Sequence, residues 1–281
     1  MALTQTASRR LFSALKLLAL LFLVVIFFLP LVSMFITSLK SRGELYVIPP
    51  AVFPERPKWE NYVTAWTMVR FGHFLINSFI LSAFFTLPCI LGSCFAGYAF
   101  SRFRVRESRF VFMLVLSTMM IPQMVTVIPL YLLISKIGLV DKMWLWLLFG
   151  LQGTPFLIFL FRQYFSTVPL SFEESARLDG ANRFQIFFYI MFPLVQTAVI
   201  IAGIFAFQWS WSDYLLPVLF LKGEKANLAV KLALGYSDQK ESVLFNISMA
   251  GVVYYTLPII ILFFALQKRF ISGLLSGGLK G

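Results

Sequence analysis

An all-α membrane protein with six transmembrane helices is the fold class this sequence predicts, and three observations carry it. The 281-residue chain is 59% hydrophobic and only 13% charged, with 33 Phe and a mean hydropathy of +0.84. That is more apolar surface than a soluble domain of this length can bury, so lipid is the expected solvent. Marking Asp, Glu, Lys and Arg then leaves six charge-free stretches, 17–39, 71–101, 110–135, 143–161, 184–212 and 242–267. About 20 helical residues cover a hydrocarbon core of roughly 30 Å, so each stretch is long enough to span, the longer ones including interfacial chain. Finally, basic residues cluster at one set of span ends: Arg9, Arg10 and Lys16 before the first stretch, Arg102, Arg104, Arg106 and Arg109 after the second, and Lys268, Arg269 and Lys280 after the last. The positive-inside rule places these clusters, and with them both termini, in the cytoplasm.

The first stretch runs uncharged without a small-residue cleavage site, so it reads as a retained helix rather than a signal peptide. After it comes an external connection, 37–72, in which Pro49, Pro50, Pro54 and Pro57 forbid a continuous helix. Trp59, Tyr62 and Trp66 there suit the headgroup level, and the segment reads either as a semi-rigid external cap or as a plain connector. This divides the chain into residues 1–70, a first helix with its Pro-rich loop, and residues 71–281, a core of five helices with a long cytoplasmic loop, 162–193, and a C-terminal tail.

Within the second stretch Cys89 and Cys94 lie five apart, on different helix faces, and read as small packing residues rather than a redox or metal motif. The only histidine, His73, falls at its external end, which leaves no histidine for a Ser-His-Asp triad or a multi-His zinc site. No Gly-Lys dipeptide occurs anywhere, so a phosphate-cradling loop is absent and the chain is not expected to hydrolyse ATP or to bind a cofactor or metal itself. The formal net charge of +12 is explained by the span-end clusters and anionic headgroups, with no basic soluble domain to take nucleic acid.

Polar residues in or near the spans are few. Asn77, Gln123, Gln152 and Asn246 read first as interhelical hydrogen bonders and second as substrate contacts. Asp213, in AFQWSWSDYLLPVLF, sits near the outer end of the fifth stretch, either lining an aqueous path or lying in an aromatic belt. Gln208, Trp211, Asp213 and Asn246 are the candidates for a translocation path.

The loop 168–193 is polar where its flanks are apolar. Ser171 and Glu174 have capping-box spacing, so a short helix is expected from about Phe172 and ends at Gly180 in a left-handed turn. Asn182 and Gln185 repeat the spacing and start a second helix with an apolar face of Phe184, Phe187, Phe188 and Met191, ended or kinked by Pro193. A short helix carrying Glu173, Glu174, Arg177 and Asp179, set off by a Gly hinge, reads as a plug offered to a cytoplasmic partner.

Glu174-Ser175-Ala176, then Gly180, Ile190 and Phe192-Pro193, resemble the E-A-A-x(3)-G-x(9)-I-x-L-P signature of permease subunits of binding-protein-dependent ABC importers, with Ser175 and Phe192 as mild departures. AGYAFSRFR at 96–104, MMIPQMVTVIPLYLLISKIGLVD at 119–141, WSWSDYLLP at 209–217 and the ending LQKRFISGLLSGGLKG are similar to the carbohydrate branch, the subunits related to the maltose permease protein G. The resemblance covers most of 75–281. It implies the type I ABC importer permease fold and a pore-forming subunit in a bacterial or archaeal cytoplasmic membrane. A second permease, two ATPase subunits that hold the ATP and Mg2+, and an extracytoplasmic solute-binding protein would be its partners. It further implies that Glu173, Glu174, Ser175, Ala176, Arg177, Asp179, Gly180 and Ala181 form the ATPase-coupling element, with Glu174 paired to a basic residue there, and that Gly277, Gly278 and Lys280 approach the ATPases. A sugar or oligosaccharide is the implied solute, with glycerol phosphate or another small polar solute as the alternative. A stand-alone secondary transporter is the competing class and a membrane-embedded enzyme a third.

Overall fold

A computed structural model describes residues 2–278 apart from 104, 106 and 238–241, and for 2–11 and 268–278 the description stops at the helical backbone. Among the described residues the structure is helical, with one isolated antiparallel bridge, Ser237–Val243. Three helices are long and apolar enough to cross a membrane, within 12–38, 71–102 and 245–267. Three further pairs qualify only as bent spans, which makes up to six. The chain divides into two compact units, 1–71 with 234–256 and 72–233 with 257–281. Residues 234–256, which a division at residue 70 leaves in the core, thus group with the N-terminal part.

In the first unit, α1 (Ala2–Ser38) exposes its apolar side chains all round from Phe12 to Val32, as befits a surface meant for lipid or another chain. The connection after it is folded by polar side chains gripping backbone. Asn61 Nδ2 donates to Ser38 O at 2.7 Å and Lys40 O at 2.9 Å, and Asn246 Nδ2 reaches Lys40 O at 3.1 Å. The Glu44 carboxylate accepts from Ser41 N at 2.6 Å and Glu55 N at 2.7 Å. These bonds replace the regular structure that the prolines forbid, so the segment is a cap with fixed shape. Beyond it, α2 (Glu60–Met68) sets Tyr62 and Trp66 against Tyr254, centroids 5.4 and 5.6 Å away, while Trp59 stays exposed. Trp59 in turn stacks on Tyr62 with centroids 6.0 Å apart, so the three expected headgroup aromatics share one ring cluster at the surface, Trp59 and Trp66 exposed and Tyr62 half-buried.

The second unit starts along α3 (Phe71–Arg102), which lies against α6 (Leu145–Leu151) and α7 (Pro155–Thr167) at backbone distance. A Cβ on Gly92 would stand 2.2 Å from Leu151 O, and one on Gly150 2.3 Å from Phe85 O. Small residues on both helices permit that approach, the usual device of helix pairs in lipid. Cys89 and Cys94 are fully buried in the adjoining core with Leu157, Phe161 and Phe165, as packing residues.

Three of the expected spans bend where the backbone is interrupted, the fifth at the expected Pro193. α4 (Ser108–Ser117), extended to Met120 by a tight turn, meets α5 (Gln123–Lys136) at 100° across Ile121–Pro122. α6 and α7 meet at 45°, where Gly153 is left-handed (φ +69°) and Thr154 caps α7 through Leu157 N at 3.4 Å. α8 (Ser171–Leu178) precedes α9 (Arg183–Gln185), a π-helical turn Ile186–Met191 and α10 (Phe192–Leu194), and these last meet α11 (Gln196–Ser212) at 79°. Pro122 and Pro193 each lack the N–H that a continuous helix needs.

α12 (Leu215–Phe220), α13 (Leu228–Leu234) and α14 (Phe245–Gly278) complete the order. Outside the spans, Lys225 Nζ binds Asp141 Oδ2 at 2.7 Å and Lys222 N donates to Asp141 Oδ1 at 3.1 Å. Asn77 Nδ2 donates to Glu224 O and Ala226 O, and His73 Nε2 lies 2.7 Å from Glu224 O. Asn77 and the one histidine thus hold the link between α12 and α13.

Candidate functional site

The polar loop begins as α7 ends and Pro169 stops continuation. α8 starts at Ser171, one residue earlier than the capping-box spacing suggests, behind Leu170 with helical dihedrals and no side-chain cap. Ser171 is therefore inside the helix, where its hydroxyl does not serve the N3 amide, and the expected Ser171–Glu174 box is absent. Leu170 O accepts from Glu173 N and Glu174 N at 3.0 and 3.1 Å instead.

The other end matches its sequence signal closely. Gly180 takes φ +85°, its N–H reaches Arg177 O at 3.1 Å, and Ala181 N reaches Ala176 O at 3.0 Å. That 6→1 and 5→2 pair is a Schellman closure, which needs a left-handed residue at the Gly180 position. The chain then turns directly into a reciprocal cap: Gln185 N donates to Asn182 Oδ1 at 2.9 Å and Asn182 N to Gln185 Oε1 at 2.8 Å.

Along the second helix the expected apolar face is rotated. Ile186, Phe187, Met191 and Val195 are buried, whereas Phe184 and Phe188 are exposed. The π-helical turn adds a residue to the repeat and moves the buried phase off the 3.6-residue pattern.

Glu173 points inward and is 2% exposed. Its Oε1 lies 2.5 Å from Arg102 Nε, an ionic contact outside hydrogen-bond alignment, and its Oε2 accepts from the Tyr98 hydroxyl at 3.2 Å and lies 3.4 Å from Arg177 Nη2. Arg102 Nη2 also donates to Val168 O at 2.8 Å. The end of α3 thereby holds α8 by charge and the preceding turn by its backbone.

The opposite face of α8 is open. Glu174, Ser175 and Asp179 are exposed, Leu178 is 89% exposed, and Phe172 and Phe184 are exposed nearby. A shallow cleft of about 400 Å³ runs between Phe172, Ser175, Asp179 and Ile190. The expected coupling set therefore divides in two: Glu173 and Ala176 turn inward, Arg177 bridges at the edge, and Glu174, Ser175, Asp179 and Gly180 face out, with Ala181 half-buried. Tyr98 and Arg102 on the inner side, and Leu178 on the outer, were not in that set. AGYAFSRFR carried the first two, but sequence alone does not bring them beside Glu173.

Of the four path candidates, Asp213 lines a cavity of about 670 Å³ together with Gln123, Gln152 and Trp209. Trp211 is fully buried, its ring 4.9 Å from Phe79 and 5.4 Å from Phe207. Asn246 holds the cap of the other unit, and Gln208 is exposed and outside the lining. Gly277 and Gly278 end the α14 backbone, while Lys280 lies outside the described residues.

The family model for "Binding-protein-dependent transport system inner membrane component" matches residues 89–275. The chain is 31% identical over 256 residues to the melibiose/raffinose/stachyose import permease protein MelC of Bacillus subtilis, covering 90% of this chain and 92% of that protein. It is 34% identical over 227 residues to the maltodextrin transport system permease protein MalD of Streptococcus pneumoniae, covering 79% and 80%. In fold it is similar to a chain of a bacterial ABC transporter involved in the import of the acidic polysaccharide alginate, with a TM-score of 0.80 over 94% of this chain and 98% of that one at 23% identity.

Proposed function

The chain belongs to the binding-protein-dependent transport system inner membrane components, and from that premise we propose that it forms half of the pore of an ATP-driven sugar or oligosaccharide importer. The observation that carries the coupling part of this reading is the two-sided α8. Glu173 fastens the helix to Arg102 and Tyr98 at the end of α3, while Leu178 and Glu174 are presented outward. An apolar side chain at the tip of a polar helix is suited to a cleft in a partner, and an adjacent exposed carboxylate to a basic residue there.

The partners in this reading are a second permease, two ATPase subunits and an extracytoplasmic solute-binding protein, with ATP and Mg2+ held by the ATPases. Closure of the ATPases would pull α8. The buried Arg102–Glu173 contact would pass that displacement to α3, whose close packing on α6 and α7 transmits it into the spans as a rigid shift. Both termini and α8 then lie in the cytoplasm, where Gly277, Gly278 and Lys280 are within the tail's reach of the same partners.

The test is purification of the tagged chain in mild detergent from its native operon, with saccharide-stimulated ATPase activity as the readout. An ATPase and a second permease should accompany it, and Leu178→Asp should release the ATPase while the permeases stay together. A chain that purifies alone and moves solute by itself would overturn the reading in favour of a stand-alone transporter.

A further inference from the structure

Three interruptions of helix open on one cavity. Gln123 follows the Ile121–Pro122 break, Gln152 and Thr154 flank Gly153, and Asp213 and Tyr214 separate α11 from α12; all five line the space of about 670 Å³. Broken helix at membrane depth leaves peptide groups without helical partners, which is tolerated where the backbone is packed in protein or faces water. The cavity volume falls within the ~300–1,000 Å³ of small-molecule sites.

The lining is chemically selective. Among the described residues the side-chain amides of Gln123 and Gln152 have no partner in the chain. Asp213 Oδ1 accepts from Leu216 N at 3.2 Å, which holds the carboxylate in the cavity wall. The Trp209 ring, also in the wall, is steadied by Phe205 and Phe156 with centroids 5.8 and 6.0 Å away. No Lys, Arg or His is among the described lining residues, so one carboxylate sets the sign of the field. Amides and a carboxylate accept from hydroxyls, and a rigid indole face suits the apolar face of a pyranose. An anionic solute would meet a like charge with no cation opposite it among the described lining residues.

We propose that this cavity is a site on this subunit for neutral saccharides, with Trp209 against a sugar face and Gln123, Gln152 and Asp213 bonded to hydroxyls, and that it disfavours uronates and phosphorylated solutes. It rests on the importer reading above and narrows it.

Ser212, also in the wall, gives the test, because Cys89 and Cys94 are buried and silent to an aqueous thiol reagent. In the intact transporter carrying Ser212→Cys, raffinose or maltotriose should slow thiol labelling several-fold and trigalacturonate should not. Met124→Cys, on the same wall, serves if the first variant fails to assemble. In membrane vesicles, Gln152→Ala should raise the half-saturating concentration for ATP-dependent uptake of the protecting trisaccharide about three- to tenfold, the effect of one lost hydrogen bond. Uptake with no protection by either neutral sugar, equal protection by trigalacturonate, or unchanged uptake in Gln152→Ala would overturn the cavity proposal alone. Absence of ATP-dependent uptake of any saccharide by the wild-type transporter would overturn the importer reading and the cavity proposal with it.

Discussion

Glu173 and Glu174 are adjacent acids in opposite surroundings, and the difference sets what each substitution does. Removing one partner of a buried ion pair strands the other charge at about 3–5 kcal/mol. Glu173→Ala should therefore lower the melting temperature of the chain in detergent and its level in the membrane. Glu174→Ala, at an exposed position, should leave both near wild type while reducing ATPase recovery. The reverse pattern would mean that α8 is turned about its axis. Replacing Arg102 and Glu173 together by Leu should restore part of the stability, since a packed apolar pair avoids the desolvation cost. Gly180 is constrained by dihedral and not by space: a Cβ there meets nothing within 4 Å, but φ is +85°. A left-handed residue other than Gly costs about 1–2 kcal/mol, least for Asn. ATPase activity coupled to transport should thus survive Gly180→Asn and fail in Gly180→Val; equal loss in both would shift the cause from the turn to a contact with the partner. Gly180 was legible from sequence because its signal is local. The inward turn of Glu173 was not, because its partners Tyr98 and Arg102 lie on a distant helix, and no local pattern tells which of two consecutive acids faces them.

At the scale of elements, apolar stretches between charges locate spans but do not show whether a span is straight. Pro122 and Pro193 were visible, yet the 100° and 79° bends depend on what the two halves pack against. The π-helical turn at 186–191 is harder still to foresee, since one extra residue in the repeat exchanges Phe184 and Phe188 for Ile186 in the buried face while leaving composition unchanged. The contact between α3 and α6 is the most demanding element pair. With Phe85 O only 2.3 Å from where a Gly150 Cβ would stand, the intruding atom meets backbone and not a mobile side chain. Gly150→Val should force the helices apart and cost at least the ~1–3 kcal/mol typical of overpacking, read as a lower melting temperature in detergent. Gly43→Ala, with open space around it, should not. If Gly150→Val melts like wild type, the two helices are not in backbone contact in the membrane.

For the whole molecule, span parity and the placement of Lys and Arg predict which side of the membrane each surface meets. The clusters Arg9, Arg10 and Lys16, and Arg102 with Arg109, flank charge-free stretches at ends that an even number of crossings brings to one side. On that prediction α8, which follows α7 without a further crossing, shares their side, and the cap carrying Trp59 is expected on the other. Two exposed positions turn this into a direct measurement: Leu178 at 89% exposure and Trp59 at 59%. With Cys89 and Cys94 fully buried, Leu178→Cys should react with a membrane-impermeant maleimide only in inside-out vesicles, and Trp59→Cys only in right-side-out ones. Labelling of both from one side would require an even number of crossings between them, which would make one bent pair a re-entrant segment and not a span. Reversal of both would place the basic clusters outside and remove α8 from any cytoplasmic ATPase. The expected pattern leaves α8 as a surface that a cytoplasmic ATPase can hold, with the lone external histidine and the Pro-rich cap facing the solute.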